Sequence, residues 1–497
     1  MSFYASPEAQ FTAMKGHYTS TLRHHRGYQA STIHMTETHT ARDAPPNHHV
    51  ESGQPITPSI TSTVKPRKAL LNRFITLSNA EDEEEDMRAE LQYAQKRGIL
   101  YTELDSQKKE IQRLVASHCG LACPDLVQVP KMVEQVNNKL VWLHGSFNVC
   151  IPVHINNSGQ SLPAKMAFRV PLPYKIGEEE FPGNAEEKIR SEAATYIWIN
   201  ENCLDLPIPK LRGFGVPGGL SPRIGSWTID NDGRISLSNR PMFCHLHQLE
   251  NWAIPSGIAR NMTYTSSDSF YLDLLASHDN RLQYQRNAAY SEEDVRAQAK
   301  DLVLMRASLH KFTDRYLHNG PFIMQLTDMH ASNIFIDKDW NIKHIIDLEW
   351  ACSLPLGNLL PPFWLTGIGV DQIKGPEYER FRASYEKFTE IFEQEETGIP
   401  LHHNGNLYSR AMAMRSALED GRYWYLNALQ TPKGLFNLFR THLEPFYDKV
   451  PKESLCAAVS PFWTPGMTSF VNLKLKEFTQ YRQETFGCAE DASVKPL

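Results

Sequence analysis

QLTDMHASNIFIDKDWNIKHIIDLEW, residues 325–350, is the stretch on which the fold turns. It reads as a loop, a short strand over Ile334–Asp337, a turn at Lys338–Asn341, and a second strand ending at Asp347. A hairpin of this shape sets the loop at 328–333 beside the far end of the second strand. Asp328, Asn333 and Asp347 then share one place, as one potential base and two oxygen ligands. Phosphoryl transfer asks for such a set: a carboxylate to orient or deprotonate an attacking hydroxyl, and hard oxygen atoms for Mg2+. Glu349 either braces this loop or faces solvent. Asp337 and Asp339 belong to the exposed turn, and His330 reads as a hydrogen-bonded structural histidine.

Upstream, LVWLHGSFNVCIPVHI (140–155) reads as strand, glycine turn, strand, and AKMAFRVPL (164–172) as a third strand after the Asn156–Gly159 turn. In the first turn, Gly145 lets backbone N–H groups approach phosphate oxygens, with Ser146 and Asn148 beside it. NAEEKIRSEAATYIWINENC (184–203) has helical spacing, with Ile189, Ala193, Tyr196 and Ile197 on one face. Arg169 on the third strand and Glu192 on this helix can pair. A strand cation held by a helix carboxylate is how kinases position the α- and β-phosphates. The bland alternative is an ordinary surface ion pair. GSWTID and GRISLS flank an Asn231–Gly233 hairpin turn. Cys244-His245-Leu246-His247 looks metal-like, but alternating polarity assigns it to a strand.

Beyond about residue 245 the pattern is mainly helical. Ser291 followed by Glu292, Glu293 and Asp294 marks a helix start running through VRAQAKDLVLMRASLHKF. Residues 352–370 carry no charge but hold three prolines and three glycines, which excludes an isolated membrane span and implies a buried irregular segment. Phe363, Trp364 and Phe446 are expected in the core. At the other end, residues 1–75 read as a disordered polar tail. The carboxylates of Glu81–Asp86 read as a helix start, with Gly98 as its end, and a second polar helix covers Ser106 to Ser117. The expected division is a tail at 1–75, a helical lead-in at 76–139, a β-rich nucleotide-binding part at 140–245 and an α-rich catalytic part at 246–490.

The 497 residues carry 51 Lys+Arg against 57 Asp+Glu, a net charge of −6, which argues against nucleic-acid binding through phosphate neutralisation. With 41% hydrophobic residues a large core is available. Scattered cysteines without a leader-like apolar run at the start predict reduced, buried thiols and a cytoplasmic location. The alternative is mitochondrial, because the first 50 residues hold four basic and three acidic side chains.

Residues 100–400 resemble the aminoglycoside phosphotransferase and choline kinase-like small-molecule kinases. The resemblance rests on GSFN, FRVP, EEKIRSEAATYIWI, GPFIMQLTDMHASNIFID and IIDLEWA. It implies an α+β, protein kinase-like two-lobed fold, with ATP as co-substrate and Mg2+ as cofactor. It further implies Asp328 as catalytic base, Asn333 and Asp347 as Mg2+ ligands, and Arg169 with Glu192 as the phosphate-positioning pair. His330 matches the histidine that braces the loop. Two departures stand out: Leu326-Thr327 replaces the family's His-Gly, and Arg169 stands where many members have Lys. No D-F-G or A-P-E motif follows, which favours a small-molecule hydroxyl acceptor over a protein. Adenine is expected near Arg240–Leu249. The other class of reading is a pseudokinase that serves as a nucleotide-binding or scaffold module. Neither reading calls for a membrane, and protein partners stay unspecified.

Overall fold

A computed structural model describes residues 2–5 and 67–486, apart from positions 72, 82, 134, 137–138, 157–161, 210, 212–222, 231, 398–400, 404–405, 433 and 448–451. The chain is mixed α and β, and its sheets are small. In chain order the strands that matter are β1 (Ser2–Ala5), β2 (Val127–Gln128), β3 (Leu143–His144), β4 (Asn148–Ile155), β5 (Lys165–Pro171), β6 (Ser226–Ile229), β7 (Ile235–Asn239), β8 (Phe322–Leu326), β9 (Ile334–Ile336), β10 (Ile342–Ile345) and β11 (Ala351–Pro355). The helices are α1 (Met87–Ser106), α2 (Lys108–His118), α3 (Asn184–Asn202), α4 (Cys244–Asn251), α5 (Ser267–Tyr284), α6 (Glu292–Phe312), α7 (Pro376–Glu396), α8 (Arg410–Glu419), α9 (Arg422–Gln430) and α10 (Met467–Phe486).

The largest sheet runs β1-β5-β4-β2, with β3 also on β4, all antiparallel. Its two faces follow from the two-residue period of a strand. Val149, Ile151, Val153, Met166, Phe168 and Val170 point one way, into a core shared with Tyr93, Leu104, Ile111 and Val115 of α1 and α2. Asn148, Cys150 and Arg169 therefore point the other way, with Cys150 and Arg169 directly opposite each other in register. α3 covers that second face and carries the β6–β7 hairpin through Ala193, Ala194, Trp227 and Ile229. A larger helical core gathers α5, α6 and α9 around Phe270, Leu274, Leu302, Phe312 and Tyr425.

Local chemistry explains the helix ends. The Asp86 carboxylate accepts from Arg88 N at 3.0 Å and caps α1. Ser291 Oγ accepts from Asp294 N at 3.1 Å and caps α6, whose first turn holds three acids.

Several expectations need correction. Cys244–His247 is the start of a helix, not a strand. The acidic run does not start one helix: the short helix Leu77–Glu81 ends inside it, and only Asp86 caps α1, which continues through Gly98 to Ser106. The polar start is not featureless, because Ser2–Ala5 pairs with β5 and Arg67–Ala69 pairs with Phe74–Thr76; residues 6–66 lie outside the described residues. The uncharged segment after Trp350 opens with β11 before it turns irregular, and no described helix is long and apolar enough to cross a membrane. None of the described cysteines forms a disulfide; Cys150 and Cys352 are buried and the others half-buried. Phe446 is 49% exposed, so it is not core.

Candidate active site

Two strand pairings build the site. β8 pairs with β11, so Leu326 faces Ala351, and β9 pairs with β10, so Ile334 faces Ile345. The loop 327–333 and the link 346–350 are the segments left between these pairings, and they are stapled at both ends. Thr327 donates to the Trp350 carbonyl through N (2.8 Å) and Oγ1 (3.0 Å), and Ile346 N donates to the Asn333 carbonyl at 2.9 Å. Asp328 and Asp347 are thereby kept near enough to interact electrostatically. Trp364 Nε1 donates to the Met329 carbonyl at 2.5 Å, and Ser332 Oγ and His330 Nδ1 hydrogen-bond at 2.7 Å. Thr327 and Trp364 thus fix the loop on either side of Asp328. Asp347 has φ +64, a left-handed conformation uncommon outside glycine but more readily adopted by Asp than by most residues; Ala253 and Trp340 share it.

Arg169 reaches this loop from β5. Its Nη1 meets Glu192 Oε1 of α3 at 2.6 Å, and its Nη2 meets Asp347 Oδ1 at 2.6 Å and Glu349 Oε2 at 3.0 Å. The Arg169–Glu192 pair is no surface ion pair, since the two side chains are 14% and 2% exposed. Behind it lies a residue that the sequence reading passed over. Lys188, one turn before Glu192 on α3, is fully buried; its Nζ meets Glu349 Oε2 at 2.6 Å and Asn148 Oδ1 at 3.0 Å. Asn148 Nδ2 donates to the same Glu349 oxygen at 2.6 Å. Asn148 is therefore spent on this buried network, and the glycine turn offers the half-buried Gly145 and the exposed Ser146. The clue to Lys188 was its spacing: four residues before Glu192, it shares a helix face with the carboxylate already singled out.

Electrostatics follow from this crowding. Burial, together with the charges of Asp347 and Glu349, pushes the Asp328 carboxyl well above the usual range. Burial and Glu349 push Asp347 up to about 6, against the pull of Arg169. Its side chain still keeps 30% exposure, so atoms surround it while one side opens to solvent. Glu349 is the opposite case: burial works against ionisation, but Lys188 and Arg169 hold its carboxyl below the usual range.

In charge, the residues present would suit a divalent cation. Glu192, Asp328, Asp347 and Glu349 oppose two cations, Arg169 and Lys188, leaving two negative charges uncompensated when all are ionised. Asp347 and the Oδ1 of Asn333 are hard oxygen donors; Asn333 itself is buried, and its Nδ2 donates to the Asp328 carbonyl at 3.3 Å. Among the described residues no three His, Cys, Asp or Glu side chains form a cage for a metal ion. A cation here would take few protein ligands and complete its shell with water or phosphate oxygens, as Mg2+ does.

The segment expected near adenine is mostly buried. Arg240 spends its guanidinium on Glu187, Glu250, Ser256 and the Ile258 carbonyl, and His245 and His247 are enclosed; Cys244 and Gln248 remain half-buried.

Compared with known protein families, curated proteins and solved structures, the chain matches none.

Proposed function

We propose that this chain is an ATP-dependent phosphotransferase on a two-lobed, protein kinase-like fold, moving the γ-phosphate to a hydroxyl of a small molecule. One observation carries the reading: a strand guanidinium, Arg169, is shared by the helix carboxylate Glu192 and by Asp347, whose charge also acts on Asp328. In this reading Asp328 accepts the proton of the acceptor hydroxyl, and its raised affinity for a proton suits that task. Arg169, oriented by Glu192, grips phosphate oxygens, and the turn at Gly145-Ser146 lies over them. Asp347 and Asn333 would hold Mg2+, which would neutralise phosphate charge when bound. A cytoplasmic setting fits described cysteines that form no disulfide.

The test is transfer of phosphate from Mg·ATP across a panel of hydroxylated and amino-sugar metabolites, together with nucleotide calorimetry. Asp328→Asn is expected to lower turnover by about 100-fold or more while keeping nucleotide affinity within a fewfold. Asp347→Asn is expected to weaken Mg·nucleotide binding itself. Equal turnover in wild type and Asp328→Asn would exclude Asp328 as the base.

A second reading is favoured by the Arg169–Asp347 contact, which engages a would-be metal ligand, and by Leu326-Thr327 before Asp328. It makes the chain a pseudokinase that binds nucleotide without turnover. Nucleotide binding with no transfer to any acceptor selects it.

A further inference from the structure

A separate groove lies in the helical part, between α5, α6 and the start of α10, and it shares no lining residue with the candidate active site. It is open to solvent and holds about 740 Å3, within the roughly 300–1,000 Å3 usual for small-molecule sites. Small side chains make the room: Ala276 of α5 and Val303 and Ala307 of α6 line it and are too short to fill the space between the helices. Aromatic rings form another wall. Trp463 and Phe470 pack with ring centroids 4.8 Å apart, and Phe462 and Leu473 beside them are 81% and 49% exposed. Folding therefore leaves apolar area in water here, and covering that area favours binding.

An ion pair sits among these rings. Asp279 Oδ2 accepts from Arg306 Nη2 at 2.5 Å, and Asp279 Oδ1 accepts from Trp463 Nε1 at 2.8 Å. One carboxylate thus orients both the guanidinium and the indole before any ligand arrives. Both of its oxygens are engaged. A guanidinium carries five N–H donors, and among the described residues Arg306 commits one of its own while keeping 36% exposure. The capacity left at this pair is that of a charged donor, and its complement is an oxyanion. Asp279 offsets the charge of Arg306, so recognition works through directed hydrogen bonds more than through net charge. The rings alongside suit a flat apolar body.

We propose that this groove binds a small molecule carrying a carboxylate or similar oxyanion on an aromatic ring, with Arg306 holding the oxyanion and Phe462, Trp463 and Phe470 covering the ring. The site is independent of the phosphotransferase reading, because none of its residues serves that chemistry.

The experiment uses the full chain and two fluorescent probes with the same rings: the anion 1-anilinonaphthalene-8-sulfonate and its neutral twin N-phenyl-1-naphthylamine. Fluorescence and calorimetric titrations are expected to give a single saturable site for the anion. Arg306→Gln should weaken the anion by about tenfold, as loss of a hydrogen bond to a charged group predicts, and leave the neutral probe within about twofold. Ala307→Trp, at an exposed position of α6, fills the groove and should remove both. Leu473→Glu places a carboxylate on the wall; it should weaken the anion more than the neutral probe, and it serves if Arg306→Gln does not fold. Displacement of the anion by indole-3-acetate, and not by the linear decanoate, supports a ring-bearing ligand. Displacement by decanoate as readily as by indole-3-acetate, or by neither, overturns it. Equal loss of both probes in Arg306→Gln removes the oxyanion role, and anion affinity unchanged in Arg306→Gln and Ala307→Trp overturns the site.

Discussion

Lys188 brings a charge into the interior, where Glu349 and Asn148 meet its ammonium and the Trp350 ring lies 5.7 Å away. Taking either ion of such a pair away leaves the other buried and uncompensated. Lys188→Met is therefore expected to cost about 3–5 kcal/mol of folding stability, and Glu349→Gln a similar amount. Urea denaturation of both single variants and the double variant should give a coupling energy of about 1–3 kcal/mol. Additive losses would show that the pair does not act as a unit. At this scale the candidate site was legible where chemistry dictates residue type. Asp328, Asn333 and Asp347 announce themselves by spacing around a turn, and Arg169 and Glu192 by a cation on a strand followed by a carboxylate on a helix. Lys188 and the inward turn of Asn148 were not legible, because partners 161 and 201 residues away define them. A lysine among the charges of EEKIRSE looks solvated until the fold shows which face is covered.

Two glycines show how far local pattern reaches at the scale of elements. Gly98 looked like a helix end, yet α1 runs through it because Tyr101 and Leu104 continue the buried stripe beyond it. A Cβ there would meet open space, so Gly98→Ala is expected to add about 0.5–1 kcal/mol, read as a higher urea midpoint at constant slope. Gly177 is the reverse case. It has φ +68, and a Cβ would lie 2.4 Å from the backbone of Glu250 at the end of α4. Gly177→Ala should cost about 2–4 kcal/mol, combining left-handed strain with overpacking, because backbone cannot step aside as a side chain can. The same distinction separates elements that were readable from those that were not. β4, β5, α3, α6 and the β9–β10 hairpin carry their own signals of alternation, helical period, caps and turn residues. α4 was misread because four residues of Cys-His-Leu-His fit either period, and the helix buries His245 and His247 as well as Leu246, Leu249 and Glu250, so no clean stripe marks it in the sequence. β1 and the β8–β11 pair depend on strands far apart in the chain, and periodicity holds no record of such pairings.

The molecule as a whole packs one core between the large sheet and α1–α2 and another among its later helices, with charged and histidine side chains between them. Arg240 joins α3 to α4 through Glu187 and Glu250, and His247 lies on Trp350 at 5.3 Å, beneath the candidate site. His245 packs on Phe243, and a His278 ring nitrogen hydrogen-bonds with the Leu429 carbonyl at 2.9 Å. Burial pulls the proton affinities of all three rings down: His245 and His247 to about 3 and His278 to about 4, from an ordinary value of 6.5. The neighbouring His278 lowers His245 further, and Arg240 does the same to His247. Unfolding returns these rings to water, where they take up protons from about pH 6.5 downward, so the unfolded chain binds more protons across that window. Their stabilising effect is complete above pH 6.5 and is lost as the pH falls toward 3–4. The loss is on the order of 2 kcal/mol per histidine by pH 5. Thermal melts from pH 7.5 to pH 5 should show a falling midpoint, with most of the drop below pH 6.5. His245→Leu replaces a ring whose Nε2 has no hydrogen-bond partner among the described residues by an apolar group that does not titrate. That variant should match or exceed wild type at pH 7 and fall less steeply toward pH 5. A slope identical to wild type would mean that acid acts elsewhere, with the carboxylates around Arg169 as the next groups to test.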